Sequence, residues 1–451
     1  MTNTAIPQHA TPSPATAEAP YPPVSSPPSY EELAARFRPI FQRIADDAVR
    51  REQARELPFE AVRWLRESGF TRVRIPQSYG GLGATLPQLF KLLVELAEAD
   101  SNVSHLLRGH FAFLESRLNH TDQAVRDFWF PKVVDGALLG YAMAELTEVT
   151  GTSATVTERD GKWFLNGRKY YSTGTIYADW IVASVLDGEE RVSVALRADS
   201  PGVRRDDDWD GFGQRMTGSG TTVFEQVEID PANIFRRGTG KDSYGNSYQK
   251  AFLQLILLAS IAGVGRAVKR DGIAFVQKKT RTFGIMGASS PRHDPLVQRV
   301  IGRLASLTFA AETIVEGIAL ALEEVYQARQ AGRDSETLYA ETEIKAFEAQ
   351  QIVIDLVLQA CTLLFEVGGA SATSETRRLD RHCRNARTAA SHNPAIQRER
   401  AIGDYYLNGT KPDAAWIAAE KERESKEAQA CEEAHDAAHE DTQTTAVPVQ
   451  A

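Results

Sequence analysis

The spacing of apolar positions divides the chain into three blocks. From Tyr30 to about Asp135 they recur every three or four residues. The stretch YEELAARFRPIFQRIADDAVRREQ sets Leu33, Phe37, Ile40, Phe41 and Ile44 on one side, which predicts an amphipathic helix. PFEAVRWLRESG predicts a second helix, with Pro58 early and Gly69 at its end. TLPQLFKLLVELAEAD predicts a third, running into SNVSHLLRGHFAFLESRL. From about Gly136 to Phe235 the period shortens to two. SATVTERDGKWFLNG predicts a hairpin turning at Asp160-Gly161, and WIVASVL, RVSVALR and TTVFEQVEI predict further strands of a small β-domain. From Ser243 to about Tyr406 helical spacing returns over residues 248–280, 293–329 and 335–366, as with Leu304, Leu307, Ala311, Ile314 and Ile318. Long helices with short connections predict an antiparallel bundle. The blocks are thus 30–135, 136–235 and 243–411.

The ends read differently. Residues 1–29 are rich in Pro, Ala, Ser and Thr, too poor in apolar surface to offset the entropy of ordering, and are expected to be disordered; they lack the basic start and apolar core of a secretory signal. Residues 412–451 form an acidic tail rich in Ala and Glu. The 451 residues carry a net charge of -9, which argues against nucleic acid or an anionic membrane as the main partner. Three cysteines, Cys361, Cys383 and Cys431, lie far apart and form neither a CxxC metal pair nor an even disulfide framework; no metal is expected, and the cytoplasm is the expected compartment. The nearest approach to a membrane span is Leu255 to Val264, short and interrupted by Ser260 and Gly263, so none is expected.

Helices, a β-domain and a helical bundle, in that order, resemble the acyl-CoA dehydrogenase superfamily, and four local strings agree. IPQSYGGLG (Ile75–Gly83) resembles the Pro-x-x-Tyr-Gly-Gly turn after that family's second helix. AELTEVTGTS (Ala144–Ser153) resembles its Ala-Leu-Thr-Glu segment beside the flavin, and NGRKYYSTG (Asn166–Gly174) its Asn-Gly-x-Lys-x-Trp-Ile-Thr segment on the flavin's other side. GFGQRMTGSGTTVFEQVEI matches the family's Gly-x-Arg strand. Four strings in the right order, within the right succession of periodicities, make the resemblance specific over roughly Tyr30 to Pro412. It implies an α+β, mostly α fold: an N-terminal helical domain, a central small β-domain and a C-terminal antiparallel four-helix bundle.

The chain departs from a dehydrogenase where that enzyme does its chemistry. Many of them carry the proton-abstracting glutamate in a Tyr-Glu-Gly-Thr turn, and the corresponding stretch here places His392 at the tyrosine and Asn393 at the glutamate. An amide nitrogen has no basic lone pair. The departures resemble instead the flavin-dependent monooxygenase branch typified by dibenzothiophene monooxygenase. Its Asp-Asp-Trp corresponds to Asp207, Asp208 and Trp209, its Gly-His-Leu-x-x-x-His to SHLLRGH (Ser104–His110), and its late Arg-Asn-x-Arg-Thr…His-Asp-Pro to LDRHCRNARTAASHNP (Leu379–Pro394).

That branch takes up reduced flavin, reacts it with oxygen at flavin C4a and holds the hydroperoxide until substrate arrives. The site must hydrogen-bond flavin N5, deliver a proton to the departing oxygen and exclude water. The resemblance makes His105 and His392 the proton-handling pair, since histidine serves as donor or acceptor near neutral pH, and sets Thr173 near N5 with Ser172 as its neighbour. Tyr171 stands at the family's tryptophan and would pack on the isoalloxazine. Tyr141, Leu146, Thr147 and Ser153 would line the flavin, and His110, Tyr141 and Asn393 the substrate pocket. Dibenzothiophene monooxygenases carry tyrosine where this chain has Gly109 and asparagine where it has Tyr141, so substrate contacts are expected to differ. Arg281, in KKTRTFG, resembles an arginine that reaches a flavin phosphate from a neighbouring subunit, though the dehydrogenases place it one residue earlier, at Thr280, and Lys278 and Lys279 stand close by. Arg384, Asn385 and Arg387 are expected to anchor the turn that carries His392.

VGGAS, with Gly368 and Gly369, resembles the turn under the adenylate half of FAD in the dehydrogenases, and a helix-ending turn explains the glycines equally well. FMN fits the monooxygenase branch, and FAD stays open. No GxGxxG follows a strand, so reducing equivalents are expected to come from elsewhere, and the resemblance implies FMNH2 diffusing from a separate flavin reductase. The resemblance therefore implies a monooxygenase that joins molecular oxygen to a small hydrophobic, organosulfur substrate, in a homo-oligomer expected to be a tetramer. Two alternatives stand beside it: an FAD-dependent acyl-CoA dehydrogenase with a displaced base, and a non-catalytic helical scaffold of the same fold.

Overall fold

The computed structural model describes residues 27–146, 154–236, 244–280 and 290–412. Thr147, Ser153, Arg281, Cys431 and nearly all of both tails lie outside the described residues. The first helix, α1 (Tyr30–Asp46), opens on a capping box in which Ser29 and Glu32 satisfy each other's backbone N–H groups, and it buries Leu33, Phe37, Phe41 and Ile44. After α2 (Ala48–Ala54), α3 (Phe59–Ser68) ends at Gly69, whose φ of 82° closes the helix in the left-handed conformation. α4 (Leu86–Ala99) does not run on as one helix. Asp100 interrupts it with an extended backbone, caps α5 (Ser101–Leu106) through Asn102 N–H, and α6 (Arg108–Leu118) and α7 (Gln123–Val134) follow. Phe37, Phe70 and Phe111 pack edge to face at the centre of this block.

Among the described residues, eight strands form the middle layer: β1 (Leu139–Ala142), β2 (Thr155–Arg159), β3 (Lys162–Lys169), β4 (Trp180–Asp187), β5 (Glu190–Arg197), β6 (Val203–Arg205), β7 (Thr222–Ile229) and β8 (Ile234–Phe235). Their order is β6-β7-β3-β2-β4-β5-β8, with β1 pairing parallel to β4. The β2–β3 hairpin turns at Asp160 and Gly161, both at positive φ, where the residue types predict it. The sheet keeps its own core of Val156, Leu165, Ile181, Val194, Phe224 and neighbours, separate from the helical core.

Three long helices, α8 (Tyr244–Lys278), α9 (Pro295–Gln330) and α10 (Glu336–Gly368), pack on one another, and α4 joins them against α8 and α9. α11 (Asp380–Ala390) lies on α8 and α10, and α12 (Ala395–Asn408) on α10. The expectation that no stretch is long and apolar enough to span a bilayer is corrected here: by length and composition α8, α9 and α10 all qualify. Ser260 and Gly263 do not interrupt α8, because Ser260 Oγ bonds back to Ile256 O within the helix and Gly263 admits α4 closely. The apolar window of α8 is 89% buried inside the protein, whereas those of α9 and α10 are 39% and 44% buried and leave open faces.

Candidate active site

The site forms where β1, the turn after β3 and α5 meet. The backbone of β1 continues across that turn: Tyr141 N–H donates to Thr173 O (3.0 Å) and Tyr171 N–H to Ala144 O (3.0 Å). Gly174 makes the approach to α5 possible. It sits at φ 79°, and a Cβ there would lie 2.7 Å from Leu106 O. Ser172 and Thr173 are thereby pinned beside the helix that carries His105. Thr173 Oγ1 bonds Ser219 Oγ (3.1 Å), which in turn bonds Thr217 (2.9 Å). Ser172 is fully buried and its hydroxyl has no partner.

The rings of His105 and His392 face each other with centroids 6.0 Å apart and planes at 61°. A side-chain amide fixes each tautomer. Gln214 Nε2 donates to Ser101 Oγ (3.2 Å) and Asn385 O (3.3 Å), so its Oε1 is the acceptor for the proton on His105 Nδ1 at 3.3 Å. Asn393 Nδ2 donates to Gln254 Oε1 (2.8 Å), so its Oδ1 likewise accepts from His392 Nδ1 at 3.3 Å. Both Nε2 atoms are left as lone-pair acceptors, and that of His105 is buried without a partner. Burial, helped by the Arg108 charge, pulls the His105 pKa down to about 4. The side chain of His392 borders open space, yet the surrounding protein, then Arg108 and His105, press its pKa well below the ordinary value. Both imidazoles are neutral at pH 7.

Asn393 is expected in the substrate pocket, but its polar groups are tied to the scaffold: its side-chain Nδ2 donates to Gln254 Oε1, and its backbone carbonyl oxygen accepts from Gln350 Nε2 at 3.0 Å. Arg398 clamps the same two glutamines through Nη1. His110 is corrected outright. It is fully buried, its Nε2 donates to Thr71 O (2.7 Å) and its Nδ1 accepts from Leu139 N–H (3.3 Å), so both nitrogens are spent on holding β1 to the helical layer. Tyr141 instead lies on the site, its ring packed over Gly109 and its phenol pushed up to about 12 by burial. Tyr171 is exposed and stacks edge-on to Trp209 at 6.2 Å. Leu146 is exposed near the end of the described segment that follows β1.

Gly368 and Gly369 close α10, their carbonyl end capped by Lys279 Nζ at Val367 O (3.1 Å) and Gly368 O (3.0 Å), and they make no contact with the two histidines. Arg384 and Asn385 do anchor the late turn: Arg384 reaches Glu52 and Phe212 O, and Asn385 Oδ1 takes the Gln214 N–H at 2.7 Å. Among the described residues, the Arg387 guanidinium bonds only Ser391 Oγ, at 3.4 Å. Two residues escaped the sequence reading although they stand inside its quoted strings, Gln214 in GFGQRMTG and Arg108 in SHLLRGH.

An isoalloxazine offers N5, carbonyl oxygens and a ring N–H to its surroundings. The orphaned Ser172 hydroxyl, in the turn after β3, and the orphaned His105 Nε2, on α5, are what such a ring would satisfy. The residues fit a flavin. Sequence profiles of the acyl-CoA dehydrogenase family match in order: the N-terminal domain at residues 28–137, the middle domain at 141–227 and the C-terminal domain at 255–396. The chain belongs to the acyl-CoA dehydrogenase family. Within it, the chain is similar to the probable FMNH2-dependent monooxygenase SfnC of Pseudomonas putida, 26% identical over 86% of this chain and 98% of that protein. It is also similar to the dibenzothiophene monooxygenase of Mycolicibacterium goodii, 27% identical over 81% and 91%. Among solved structures, FMN-bound TdsC from Paenibacillus sp. A11-2 superposes with a TM-score of 0.77 at 25% identity, covering 84% of this chain and 98% of that one.

Proposed function

We propose that the chain is the oxygenase component of a two-component FMNH2-dependent monooxygenase acting on a small hydrophobic substrate, with organosulfur compounds as the substrate class. One observation carries the reading: two neutral imidazoles face each other, one of them on the helix against which the turn after β3 packs, each with its Nδ1–H fixed and its Nε2 lone pair free. The relatives named for such activity, and the FMN in TdsC, support it. Bound reduced FMN would supply the activation of oxygen. Ser172 would hydrogen-bond the ring edge through its free hydroxyl, with Thr173 fixing the turn against Ser219. His105 and His392 would accept and return a proton at Nε2 beside the oxygen being transferred, while Gln214 and Asn393 hold their rings. A separate reductase would supply FMNH2 by diffusion.

A dehydrogenase reading is disfavoured at Asn393, which stands at the family's base position and spends its amide on Gln254. The open apolar faces of α9 and α10, with Leu296, Phe309, Leu320 and Ile352 exposed, support packing against further copies of the chain in a homotetramer. The test supplies FMNH2 from any flavin reductase, oxygen and a panel of small sulfides, sulfones and sulfinates, with products read by mass spectrometry and peroxide measured in parallel. An oxygenated product is expected. Dye reduction by an acyl-CoA in the absence of FMNH2, with no oxygenated product, would overturn the reading in favour of the dehydrogenase.

A further inference from the structure

Buried arginines elsewhere among the described residues have a carboxylate or an aromatic face: Arg51 pairs with Asp100 at 2.9 Å and Arg74 with Glu115 at 3.0 Å, while Arg117, which makes no ion pair, lies over the rings of Phe113 and Phe235 at 4.8 and 4.3 Å. Arg108 differs. It opens α6, three residues beyond His105, and its Nε donates to Leu253 O at 3.2 Å. Among the described residues no carboxylate comes within ion-pair distance of it, and no hydrogen bond is made by its two terminal nitrogens. The groups that share its environment are Tyr141, Arg398, His105 and His392: a phenol, a second cation and two neutral imidazoles. Glu343 stands near Arg398 and offsets part of the cost of burying that cation, but it is not among the groups that act on Arg108. Burial, with Arg398 adding to it, draws the Arg108 pKa to about 10, so the group is still charged at neutral pH.

Arg108 is half-buried, and a guanidinium so placed without a counter-charge gains by pairing with a ligand that provides one. With Nε spent on a carbonyl, the free face is the pair of terminal nitrogens, a fork that matches two oxygens of one anion. We infer that Arg108 binds an anionic group on the substrate, which makes the substrate a small organic anion of the sulfinate or carboxylate kind, its apolar part lying beside Tyr141. The inference rests on the monooxygenase reading. Arg108 is a binding residue here, held to the site by Leu253 O and set where the anion lies against the two imidazoles.

The test uses the full chain loaded with oxidised FMN, titrated with sodium methanesulfinate, sodium acetate and the neutral dimethyl sulfone, and read by flavin absorbance and by the shift in melting temperature. Saturable binding of at least one anion, and none of the sulfone, is expected; comparison of sulfinate with acetate tells which head group fits. Arg108→Gln should weaken the anion by about tenfold or more, as for loss of a charged hydrogen-bonded fork, and Arg108→Lys should keep part of the affinity, while FMN affinity is unchanged in both. Equal binding of sulfone and anion overturns the inference, as does an unchanged anion affinity in both variants. Loss of FMN affinity with anion binding retained would assign Arg108 to the cofactor phosphate and also overturn it. FMN binding without any anion response removes this inference alone, whereas failure of the parent protein to bind FMN removes the monooxygenase reading beneath it.

Discussion

The ring of Tyr141 occupies the space that a side chain at position 109 would fill: a Cβ on Gly109 would lie 2.8 Å from Tyr141 Cγ. The two positions therefore act as one volume. The sequence resemblance to dibenzothiophene monooxygenases implies the opposite distribution there, tyrosine at the position of Gly109 and asparagine at that of Tyr141. Gly109→Tyr alone should overpack the site and lower stability by about 1–3 kcal/mol. Tyr141→Asn alone should open a hole, and the double variant should recover much of both losses. A double-mutant cycle from denaturant unfolding checks this; additive losses, with no coupling between the two sites, would show that the ring and the glycine do not share that space.

Gln214 and Asn393 should matter to catalysis without touching substrate. Gln214 fixes His105 with its Nδ1 protonated and Nε2 free. In Gln214→Leu that restraint is lost and either nitrogen can carry the proton. Product formation per oxygen consumed should fall several-fold and peroxide should rise, with FMN affinity nearly unchanged. His392→Ala should uncouple more strongly and likewise keep flavin. A purely structural role for Gln214 would instead lower the melting temperature and leave coupling intact.

How much of this was legible in the sequence depends on how local the cause is. The Asp160-Gly161 turn, the Ser29 cap and the burial of Leu33, Phe37, Phe41 and Ile44 follow from spacing and residue type, and the structure has them there. His105 and His392, 287 residues apart in number, could be brought together only through motif resemblance, because no local rule encodes that contact. His110 shows the opposite failure. It sits in the same motif, but the break at Leu107 between α5 and α6 turns it toward Thr71 and β1, and periodicity did not show that break. Arg108 was passed over because an arginine on a helix usually finds a carboxylate or solvent, and the lack of one is visible only in three dimensions.

Ser172 offers a separation of stability from binding. Its hydroxyl is buried and unpartnered, so Ser172→Ala removes a polar group that the protein alone does not satisfy. The flavin-free protein should be as stable as the parent or slightly more so, while FMN should bind several-fold more weakly, in line with one hydrogen bond of about 1 kcal/mol. Thr173→Ala should behave differently, since Thr173 Oγ1 is bonded to Ser219 and its loss should lower stability as well. Unchanged FMN affinity in Ser172→Ala would place that hydroxyl away from the cofactor.

The buried histidines also set how the fold responds to acid. Burial holds the pKa of His110 at about 4, below its ordinary value of 6.5, despite the bond to Thr71 O. In the unfolded chain the same imidazole takes up a proton near 6.5, so between that pH and about 4 the unfolded state binds more protons than the folded one. Stability is therefore fully present above pH 6.5 and falls as pH drops toward 4; at pH 5 the loss from one such group is on the order of 2 kcal/mol. His105, held at about 4 by the same cause, adds to it. His110→Asn removes one titrating group and should flatten the decline in unfolding free energy between pH 7 and pH 5 by about that amount, even though it lowers stability at pH 7 by losing packing. Denaturant melts of the flavin-free protein at the two pH values decide the point: parallel declines in the parent and in His110→Asn would mean that the ring is already protonated, or free to become so, in the folded state.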